Sequence, residues 1–278
     1  MEHYKEKIAI VVLNYLNYQD TIECVDSIVA NNYDICGIVV VDNGSNNDSY
    51  KILRNTYKNN QLIHMVETKK NLGYAKGNNI GIKYARKKCK AEYVLVVNND
   101  TIFTDENYLR ILLDRYKPQV GVIGSKIILK SGAAQPEYVG YIGLKDLISS
   151  FVNAYTLKRG SSFDFPEKQG NPTRILHGCA LLFTPDFFKY YLGFYKRTFL
   201  YGEEAILYYM CKCKNLRQVY VEETSIFHKE DQSSEMSFGN SINYKNQYLY
   251  DSKKYIIWWC IKYKILSLIK NAVGKKAN

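Results

Sequence analysis

Four groups of polar side chains follow apolar runs in the first hundred residues of this sequence. They are Asn14-Tyr15, Asp42-Asn43, the segment around Asn71 and Gly73, and Asn98-Asn99-Asp100. Carboxylate and amide oxygens can bind a divalent cation or hydrogen-bond a polar ligand. Later in the chain stand the acidic pair Glu203-Glu204 and His228. A carboxylate can accept a proton during catalysis and an imidazole can bind a metal ion, so these residues are candidates for a polar reactive site.

Each of these groups also has an ordinary structural interpretation. Asp42-Asn43-Gly44-Ser45 is a good turn sequence, and Asn98-Asn99-Asp100 can close a strand with an Asx turn. Glu203-Glu204 can be a solvated first helical turn. His228 can be a structural histidine. The elements that carry these residues must therefore decide between the two interpretations.

The first 125 residues predict alternating strands and helices. Buried strands are expected at 8–15, 37–43, 62–68 and 93–100, and helices after Asp20, at 48–59 and at 78–89. Such a β-α-β series forms a parallel sheet with right-handed crossovers. Ligands bind beyond the carboxyl ends of parallel strands, where all four polar groups stand.

The second half is less regular. A strand and turn are predicted from 126, strands at 177–185 and 219–228, and a loop that becomes a helix at 199–215. Residues 145–175 are irregular and predict a loop that could cover a ligand. We divide the chain into a first half (1–125), a second half (126–232) of the same domain, and a basic C-terminal helical segment (233–278).

The amino-acid composition limits which classes of protein this chain can belong to. With 278 residues, 46% hydrophobic and 23% charged, the chain is not disordered or fibrous. Its net charge of +11 favours an anionic partner. The seven cysteines are odd in number and form no C-x-x-C motif, which predicts reduced, cytosolic thiols without structural zinc. No apolar stretch of 18 residues predicts a transmembrane helix.

The C-terminal segment carries much of the positive charge. Residues 241–278 contain eight Lys and one Asp, and residues 255–273 combine two Trp with several Ile and Leu. This pattern suits an interfacial helix on an anionic membrane surface, which we assign to residues 250–278. The same pattern suits a helix that docks on the protein's own core, and the sequence does not choose between them.

The chain resembles the inverting family 2 glycosyltransferases of the GT-A fold, which use nucleoside-diphosphate sugars. The resemblance rests on segments that occur in family order across residues 8–228: IVVLNY, VVVDNGSNNDS, NLGYAKGNNIGI, VVNND, HGCALLF, FLYGEEAILYYM and SIFH. It is similar to rhamnosyltransferase-like enzymes of bacterial surface polysaccharide assembly. The resemblance implies an α/β GT-A fold: a Rossmann-like, mostly parallel central sheet flanked by helices, with a C-terminal helical extension. It also implies that the first half (1–125) binds the nucleotide sugar and that the second half (126–232) binds the acceptor.

The resemblance also implies a metal site. Asn98-Asn99-Asp100 resembles the D-x-D motif of the family, with one carboxylate in place of two. Asp100 would then bind a divalent cation, Mn²⁺ or Mg²⁺, and Asn99 would face the ribose. His228 matches a histidine that reaches the metal or the diphosphate in related enzymes.

Nucleotide contacts follow from the same resemblance. Asp42 would accept the N3–H of a uracil or thymine ring, which selects pyrimidine donors. The other implied contacts are Asn14, Tyr15, Asn43, Asn71, Gly73 and Asn78. Asn78 stands where many relatives carry Arg, which puts its contact in doubt.

The general base is implied by the match of Glu203-Glu204 to the family's E-D motif. Glu204 occupies the position of the base, although it is one methylene longer than the usual Asp. Glu203 and His177 are candidate acceptor contacts. Ile206 stands where relatives often carry a further acid, which puts one acceptor contact in doubt.

We therefore expect a metal-dependent hexosyltransferase that moves a sugar from a UDP- or dTDP-sugar to a hydroxyl of a saccharide, free or lipid-linked, in cell-surface polysaccharide biosynthesis. It would be cytoplasmic, at the inner face of the membrane. Two alternatives stay open: a sugar-1-phosphate nucleotidyltransferase, although residues 14–20 (NYLNYQD) lack the expected Gly-rich loop, and a non-catalytic component of an assembly complex. No motif predicts nucleic-acid binding.

Overall fold

The computed structural model of the protein describes residues 7–135, 138–139, 144, 174–229 and 242–274. The loop predicted over 145–175 lies outside these residues except for its last two. Residues 230–241, which include the start of the predicted C-terminal segment, also lie outside them.

Four strands of the first half form a parallel ladder. They are β1 (Ile8–Asn14), β2 (Gly37–Asp42), β3 (Ile63–Glu67) and β4 (Tyr93–Asn98). β1 lies between β2 and β4, and β3 pairs with β2. They are connected by helices α1 (Tyr18–Ala30), α2 (Ser49–Tyr57) and α3 (Tyr74–Lys87). Because all four strands run the same way, their carboxyl ends meet at one edge, which we call the carboxyl edge.

The second half extends the same sheet. In chain order its elements are β5 (Thr101–Ile102), α4 (Tyr108–Asp114), β6 (Val120–Leu129), β7 (Tyr138–Val139), β8 (Arg174–Ile175), β9 (Ala180–Phe183), α5 (Pro185–Phe188), α6 (Glu203–Cys213), β10 (Arg217–His228) and α7 (Ile242–Gly274). The strand order is β3-β2-β1-β4-β9-β6-β10-β5, and β7 and β8 form a separate pair. β9 is antiparallel to β4 and β6, and β10 is parallel to β6. β10 therefore ends, and β9 begins, at the carboxyl edge.

The sheet separates two apolar cores. Successive side chains of a strand point to opposite faces, so Ile10 and Val12 of β1 face one core and Val11 faces the other. Ile10 and Val12 pack with residues of α1, α2 and α4, whereas Val11 packs with residues of α3, α6 and α7. The mixed α/β fold with a mostly parallel sheet is thus confirmed, and its helices cover both faces.

Helix α3 begins at Tyr74, four residues before the predicted start at 78. Glycines lower helix propensity, which is why the sequence pattern favoured the later start. In the structure they allow α3 to lie directly on the sheet: a Cβ at Gly81 would come within 2.3 Å of Val11 Cγ1, and one at Gly77 within 2.7 Å of Leu13 Cδ1.

Strand β6 begins at Val120, whereas the sequence predicted a strand from 126. Its first half contains Gly121 and Gly124, which weaken the strand pattern. Both glycines lie against leucine side chains, Leu216 and Leu176 respectively, at distances that leave little room for a Cβ. Strand β9 begins at 180 rather than 177, and the short elements α4, α5 and β5 were not predicted from the sequence.

The C-terminal helix α7 docks on the core. Ile256, Trp259 and Cys260 are buried in the core that also contains α6. Ser252 and Ile256 lie beside Gly202, the residue before α6, where an added Cβ would come within 3.1 Å and 3.2 Å of them. In the described part of the chain, no helix combines the length and apolarity that crossing a bilayer requires.

Candidate active site

Asn14 and Asp42 lie side by side at the ends of β1 and β2, where they are register partners. Asn14 Nδ2 donates to Asp42 Oδ2 over 2.6 Å, and the Ser45 backbone N–H donates to Asp42 Oδ1 over 2.9 Å. Both side chains have no exposed surface. Each Asp42 oxygen therefore has one protein donor and one further lone pair, and Asp42 joins two strand ends to the turn after β2. Tyr15, the residue that follows Asn14, is partly exposed.

Asn43 and Asn71 connect the next two loops of the carboxyl edge. Asn43 Nδ2 donates to Asn71 Oδ1 over 3.0 Å, and Asn43 Oδ1 accepts from the Leu72 N–H. Asn71 Oδ1 also accepts from the Gly73 N–H over 2.8 Å. Gly73 has a φ of +81°, and a Cβ there would clash with the Phe199 backbone. This network holds the entry of α3 against the loop before α6.

Asn78 and Asn99 are both buried, but they have different partners. Asn99 Nδ2 donates to the Asn17 carbonyl and to Thr21 Oγ1, each over 3.1 Å, so this amide group contacts the start of α1. Asn78 Nδ2 donates to the Tyr74 carbonyl, and its Oδ1 has no hydrogen-bond partner among the described residues. The contact of Asn99 with the ribose and that of Asn78 with the base or ribose stay predictions.

Asp100 and His228 meet where β4 and β10 end. His228 Nε2 lies 3.3 Å from Asp100 Oδ1, and both side chains are buried. Asp100 Oδ1 makes no hydrogen bond to the described residues, which is costly for a buried carboxylate oxygen and marks it as open to a ligand. Next to them, Lys229 forms ion pairs with Asp20 and Glu23 of α1, which fix the end of β10.

A carboxylate oxygen and an imidazole nitrogen at this distance suit an ion of the Mn²⁺ type. In the described residues, no group of three or more His, Cys, Asp or Glu side chains could hold a metal by themselves. The donor set thus fits an ion that completes its coordination with ligand oxygens, as Mg²⁺ does with substrate phosphates.

His177 lies on the segment before β9, close to His228. The two imidazole centroids are 6.2 Å apart, and His177 Nε2 is 2.8 Å from Gln135 Nε2. Burial, together with the neighbouring His228, lowers the pKa of His177 to about 4. His177 is therefore a neutral imidazole near pH 7 and can exchange hydrogen bonds without carrying charge.

Glu203 and Glu204 open helix α6 but occupy different environments. Glu204 is partly exposed and lies against Gly178, where a Cβ would come within 2.6 Å of Glu204 Oε1. Burial raises the pKa of Glu204, while the N–H groups of Glu204 itself and of Gly178 stabilise its ionised form. Glu203 is buried, and its Oε1 has no hydrogen-bond partner among the described residues.

Burial and mutual repulsion affect the protonation of Glu203 and Glu204 differently. Burial, followed by the charge of Glu204, raises the pKa of Glu203 from 4.5 to about 8. Adjacent carboxyl groups that interact strongly do not both ionise easily. Glu203 is the more buried of the two, and its raised pKa favours a protonated Glu203 at neutral pH, whereas the N–H groups of Glu204 and Gly178 favour the ionised form of Glu204.

Tyr74 is a site residue that the sequence reasoning missed. Its hydroxyl donates to the Gly178 carbonyl over 2.7 Å, and its backbone N–H donates to the Phe199 carbonyl. Burial and the charges of Glu204, Glu203 and Asp100 raise its pKa. The only signal in the sequence was its place in the segment NLGYAKGNN. Through Tyr74, the network that includes Gly73 reaches the acidic residues.

The structure thus brings the predicted residues together in two connected groups. One group, at the ends of β1 and β2 and the entry of α3, contains Asn14, Asp42, Asn43, Asn71 and Gly73. The other, where β4, β10 and α6 meet the start of β9, contains Asp100, His177, His228, Glu203 and Glu204. Asn99 and Asn78 lie behind the edge, and Tyr74 stands between the groups.

The chain matches the model of a known protein family. The model described as Glycosyl transferase family 2 matches residues 8–190, which is more than half of the chain. The match contains the first group of site residues together with Asp100 and His177. Glu203, Glu204 and His228 lie beyond its end.

Two curated proteins are similar in sequence. Agl10, a hexosyltransferase of low-salt glycan biosynthesis from Haloferax volcanii, is 23% identical over 257 residues, which are 88% of this chain and 75% of Agl10. The glycosyltransferase GlyG of Streptococcus pneumoniae is 30% identical over 107 residues, or 38% of this chain and 34% of GlyG.

Solved glycosyltransferases share the fold. The mannosyltransferase PcManGT from Pyrobaculum calidifontis, solved with GDP-Man and Mn²⁺, has a TM-score of 0.57 at 13% identity and aligns over 97% of this chain and 76% of its own. S. aureus TarS 1–349 has a TM-score of 0.53 at 15% identity over 88% of this chain and 70% of its own. GalNAc-T7, solved with UDP, GalNAc and Mn²⁺, has a TM-score of 0.60 at 12% identity and aligns over 82% of this chain and 45% of its own. The GT-A fold is thereby confirmed.

The raised pKa of Glu203 predicts a pH-dependent stability. In the unfolded chain Glu203 ionises near its ordinary pKa of 4.5, and in the folded chain only near 8, so stability falls as the pH rises between these values. Glu203→Gln removes the ionisable group and keeps its shape. We expect urea melts to show the variant more stable than the parent at pH 9, with the difference disappearing near pH 5.

Glu92→Gln is the matched control, because Glu92 is exposed at the opposite end of β4. Parallel stability curves for the parent and Glu203→Gln across this pH range would contradict the assignment of a proton to Glu203.

Proposed function

The chain belongs to glycosyl transferase family 2, and we propose that it transfers a hexose from a nucleoside-diphosphate sugar to a hydroxyl group of a saccharide with inversion. The observation that carries the proposal is the position of the Glu204 carboxylate. It lies against Gly178, whose carbonyl accepts the hydroxyl of Tyr74, and the charges of both Glu204 and Asp100 raise the pKa of that tyrosine, so the two acids lie near each other at the carboxyl edge. A base and a diphosphate site on one edge are what such a displacement requires.

Glu204 acts as the general base in this proposal. The acceptor hydroxyl oxygen forms a bond to the anomeric carbon while the bond from that carbon to the diphosphate oxygen breaks. The hydroxyl proton passes to Glu204. Burial raises the pKa of Glu204, which makes it a stronger base, and the N–H groups of Glu204 itself and of Gly178 favour its ionised form. Glu203 is buried and its pKa is raised to about 8, so it is less available for this role.

Asp100 and His228 would hold a divalent cation, Mn²⁺ or Mg²⁺. When bound, such a cation neutralises the charge of the departing diphosphate. Support comes from the buried Asp100 oxygen without a hydrogen-bond partner among the described residues and from the imidazole beside it. PcManGT and GalNAc-T7, which share the fold, were solved with Mn²⁺ and a nucleotide or nucleotide sugar.

The nucleotide would lie along the ends of β1 and β2. We propose that it is a UDP- or dTDP-sugar whose imide N–H reaches the remaining lone pair of Asp42. Asn14 and Ser45 would orient that carboxylate, as their hydrogen bonds do now. Asp42 has no exposed surface, so Tyr15 or the Ser45 turn must shift to admit the base. Asn43, Asn71 and Gly73 would shape the pocket wall on the α3 side.

The acceptor would approach from the side of His177. This imidazole is neutral, lies near His228 and precedes the segment that touches Glu204, so it can orient a sugar hydroxyl without binding the cation strongly. Glu203 is buried behind Glu204, which makes it a weaker candidate for acceptor contact. We propose a lipid-linked saccharide acceptor in cell-surface polysaccharide assembly at the inner face of the membrane. The glycan-biosynthesis relative supports the glycan context.

Glu204→Gln tests the base. The amide keeps the size and hydrogen-bonding contacts of the side chain but cannot take a proton, so turnover should fall about 10²–10⁴-fold. UDP or dTDP affinity, measured by calorimetry with Mn²⁺, should stay near that of the parent. Glu92→Gln serves as the control for loss of a carboxylate elsewhere. Transfer by Glu204→Gln at close to the parent rate would remove the base assignment.

Asp100→Asn tests the cation site. Loss of the anionic oxygen should weaken the Mn²⁺-dependent part of UDP binding by more than about tenfold and leave metal-free binding little changed. Calorimetry with Mn²⁺ and with a chelator separates the two contributions. Asp114→Asn, exposed at the end of α4, is the control. An equal response to Mn²⁺ in the variant and the parent would show that the cation binds elsewhere.

Tyr74→Phe tests the connection through Gly178. Tyr74 is a positioning residue: without its hydroxyl the Gly178 backbone loosens, and the N–H that stabilises ionised Glu204 is less well aimed. A lost hydrogen bond of about 0.5–1.5 kcal/mol predicts a fall in kcat of about 2- to 10-fold. The acidic limb of the kcat–pH profile should move to higher pH, while the KM for the donor should not change.

Tyr84→Phe, on the same helix, controls for the loss of a tyrosine hydroxyl. If Tyr74→Phe lowers kcat without moving the acidic limb, Tyr74 does not act through Glu204.

A further inference from the structure

Helix α7 has a second apolar face that the core does not cover. Trp258, Ile261, Ile265, Leu268 and Ile269 are exposed by 49%, 39%, 52%, 68% and 54% respectively. They recur at intervals of three and four residues, so they form one stripe along the helix. We call these five residues the outer strip. A contiguous exposed apolar stripe of this kind usually marks a contact surface.

The outer strip lies opposite the docked face. Ser252, Ile256, Trp259 and Cys260 are buried against the core, and Tyr263 lies near Tyr209 of α6. With 3.6 residues per turn, these positions fall on the far side of the helix from Ile261, Ile265 and Leu268. The helix therefore has two apolar faces, one packed against the core and one exposed to solvent.

Lysines flank the outer strip. Lys262 Nζ lies 5.0 Å from the Trp258 ring centroid and 4.6 Å from that of Trp259, so its charge sits beside the strip. Lys254 and Lys264 are exposed, Lys254 near the first residue of the strip and Lys264 across from Lys262. Over residues 250–274 the sequence has five Lys and a single acid, Asp251. The strip is thus apolar at its centre and positive at its margins.

We propose that the outer strip docks on an anionic lipid bilayer, with α7 lying parallel to the membrane plane. Apolar residues of such a helix enter the boundary between headgroups and acyl chains, Trp is favoured at that depth, and flanking Lys contact anionic headgroups. Charge complementarity selects this occupant over a second copy of the chain. Two copies packed strip to strip would bring their lysines together.

The docked helix also orients the site. Ile256 lies beside Gly202, the residue before Glu203-Glu204, on the face of α7 opposite the outer strip. Because α7 lies parallel to the membrane plane, the distance from Gly202 to the bilayer is the diameter of one helix, roughly 10–12 Å. The start of α6 is therefore held close to the bilayer surface. This consequence rests on the proposed function, since it places the general base where a lipid-linked acceptor is available, but docking itself does not.

The test uses the full-length protein and two kinds of vesicle. One is phosphatidylcholine alone and the other is an equal mixture of phosphatidylcholine and phosphatidylglycerol. In co-sedimentation the parent should bind the mixed vesicles at least about tenfold more strongly than the neutral ones, and added salt should weaken this binding. Absence of binding to the mixed vesicles would overturn the proposal.

Substitutions test the contributions of the apolar strip and of the flanking lysines to vesicle binding separately. Ile261→Gln, Ile265→Gln and Leu268→Gln combined should lower binding to mixed vesicles at least about tenfold, because they remove the inserted area. Lys254→Gln, Lys262→Gln and Lys264→Gln combined should remove most of the preference for anionic vesicles. Val29→Gln is the control, since Val29 is 40% exposed on α1, in the opposite helical layer. Thermal melts confirm that each variant is folded.

Two outcomes would contradict the proposal. The first is unchanged vesicle binding by the folded Ile261/Ile265/Leu268 variant. The second is a parent dimer, detected by analytical ultracentrifugation, that this variant abolishes, which would make the strip an interface between copies. Glu204→Gln should bind vesicles like the parent, so a failed transferase assay and a failed docking assay remain distinguishable.

Discussion

The backbone at Gly178 is the constraint on which the arrangement of the site depends. Its carbonyl accepts the Tyr74 hydroxyl from α3, its N–H donates to Glu204 on α6, and its missing side chain leaves the space that the Glu204 carboxylate occupies. Gly178 reaches this place because β9 runs antiparallel between β4 and β6 and so begins at the carboxyl edge. One reversed strand thus joins the first half of the sheet to the helix that carries the proposed base.

Close to Gly178, unequal burial of Glu203 and Glu204 reduces the repulsion between their carboxyl groups. Two adjacent acids at the start of α6 would repel each other if both were ionised, and the more buried Glu203 retains a proton because its pKa is raised to about 8. The backbone N–H groups of Glu204 and Gly178 favour the ionised form of Glu204, whereas burial raises its pKa. Asp100 and His228 offer one carboxylate and one imidazole, a donor set that leaves room for the oxygens of a diphosphate. In the proposed function, Glu204 would accept a proton, and a cation held by Asp100 and His228 would neutralise negative charge.

Helix α7 has one face in the core beside the site and another face exposed to solvent. Its inner face completes the core beside α6, so the helix is part of the fold and not a loosely attached tail. Its outer face retains large apolar side chains that a water-soluble surface does not need. The two interpretations that the sequence left open, a docked helix and an interfacial one, are compatible because they use different faces.

The parallel sheet and the placement of Asn14, Asp42 and Asp100 at one edge could be predicted from the amino-acid pattern, because buried strands appear as continuous apolar runs and their carboxyl ends must share one edge. It also identified the family through motifs that are local in the chain. Three features came from the folded structure alone: Glu203 is the more buried of the two acids, Tyr74 and Gly178 connect Glu204 to the sheet, and one face of α7 is covered by the core. These features depend on contacts between segments far apart in the chain, and hydropathy records how apolar a residue is but not which partner it meets.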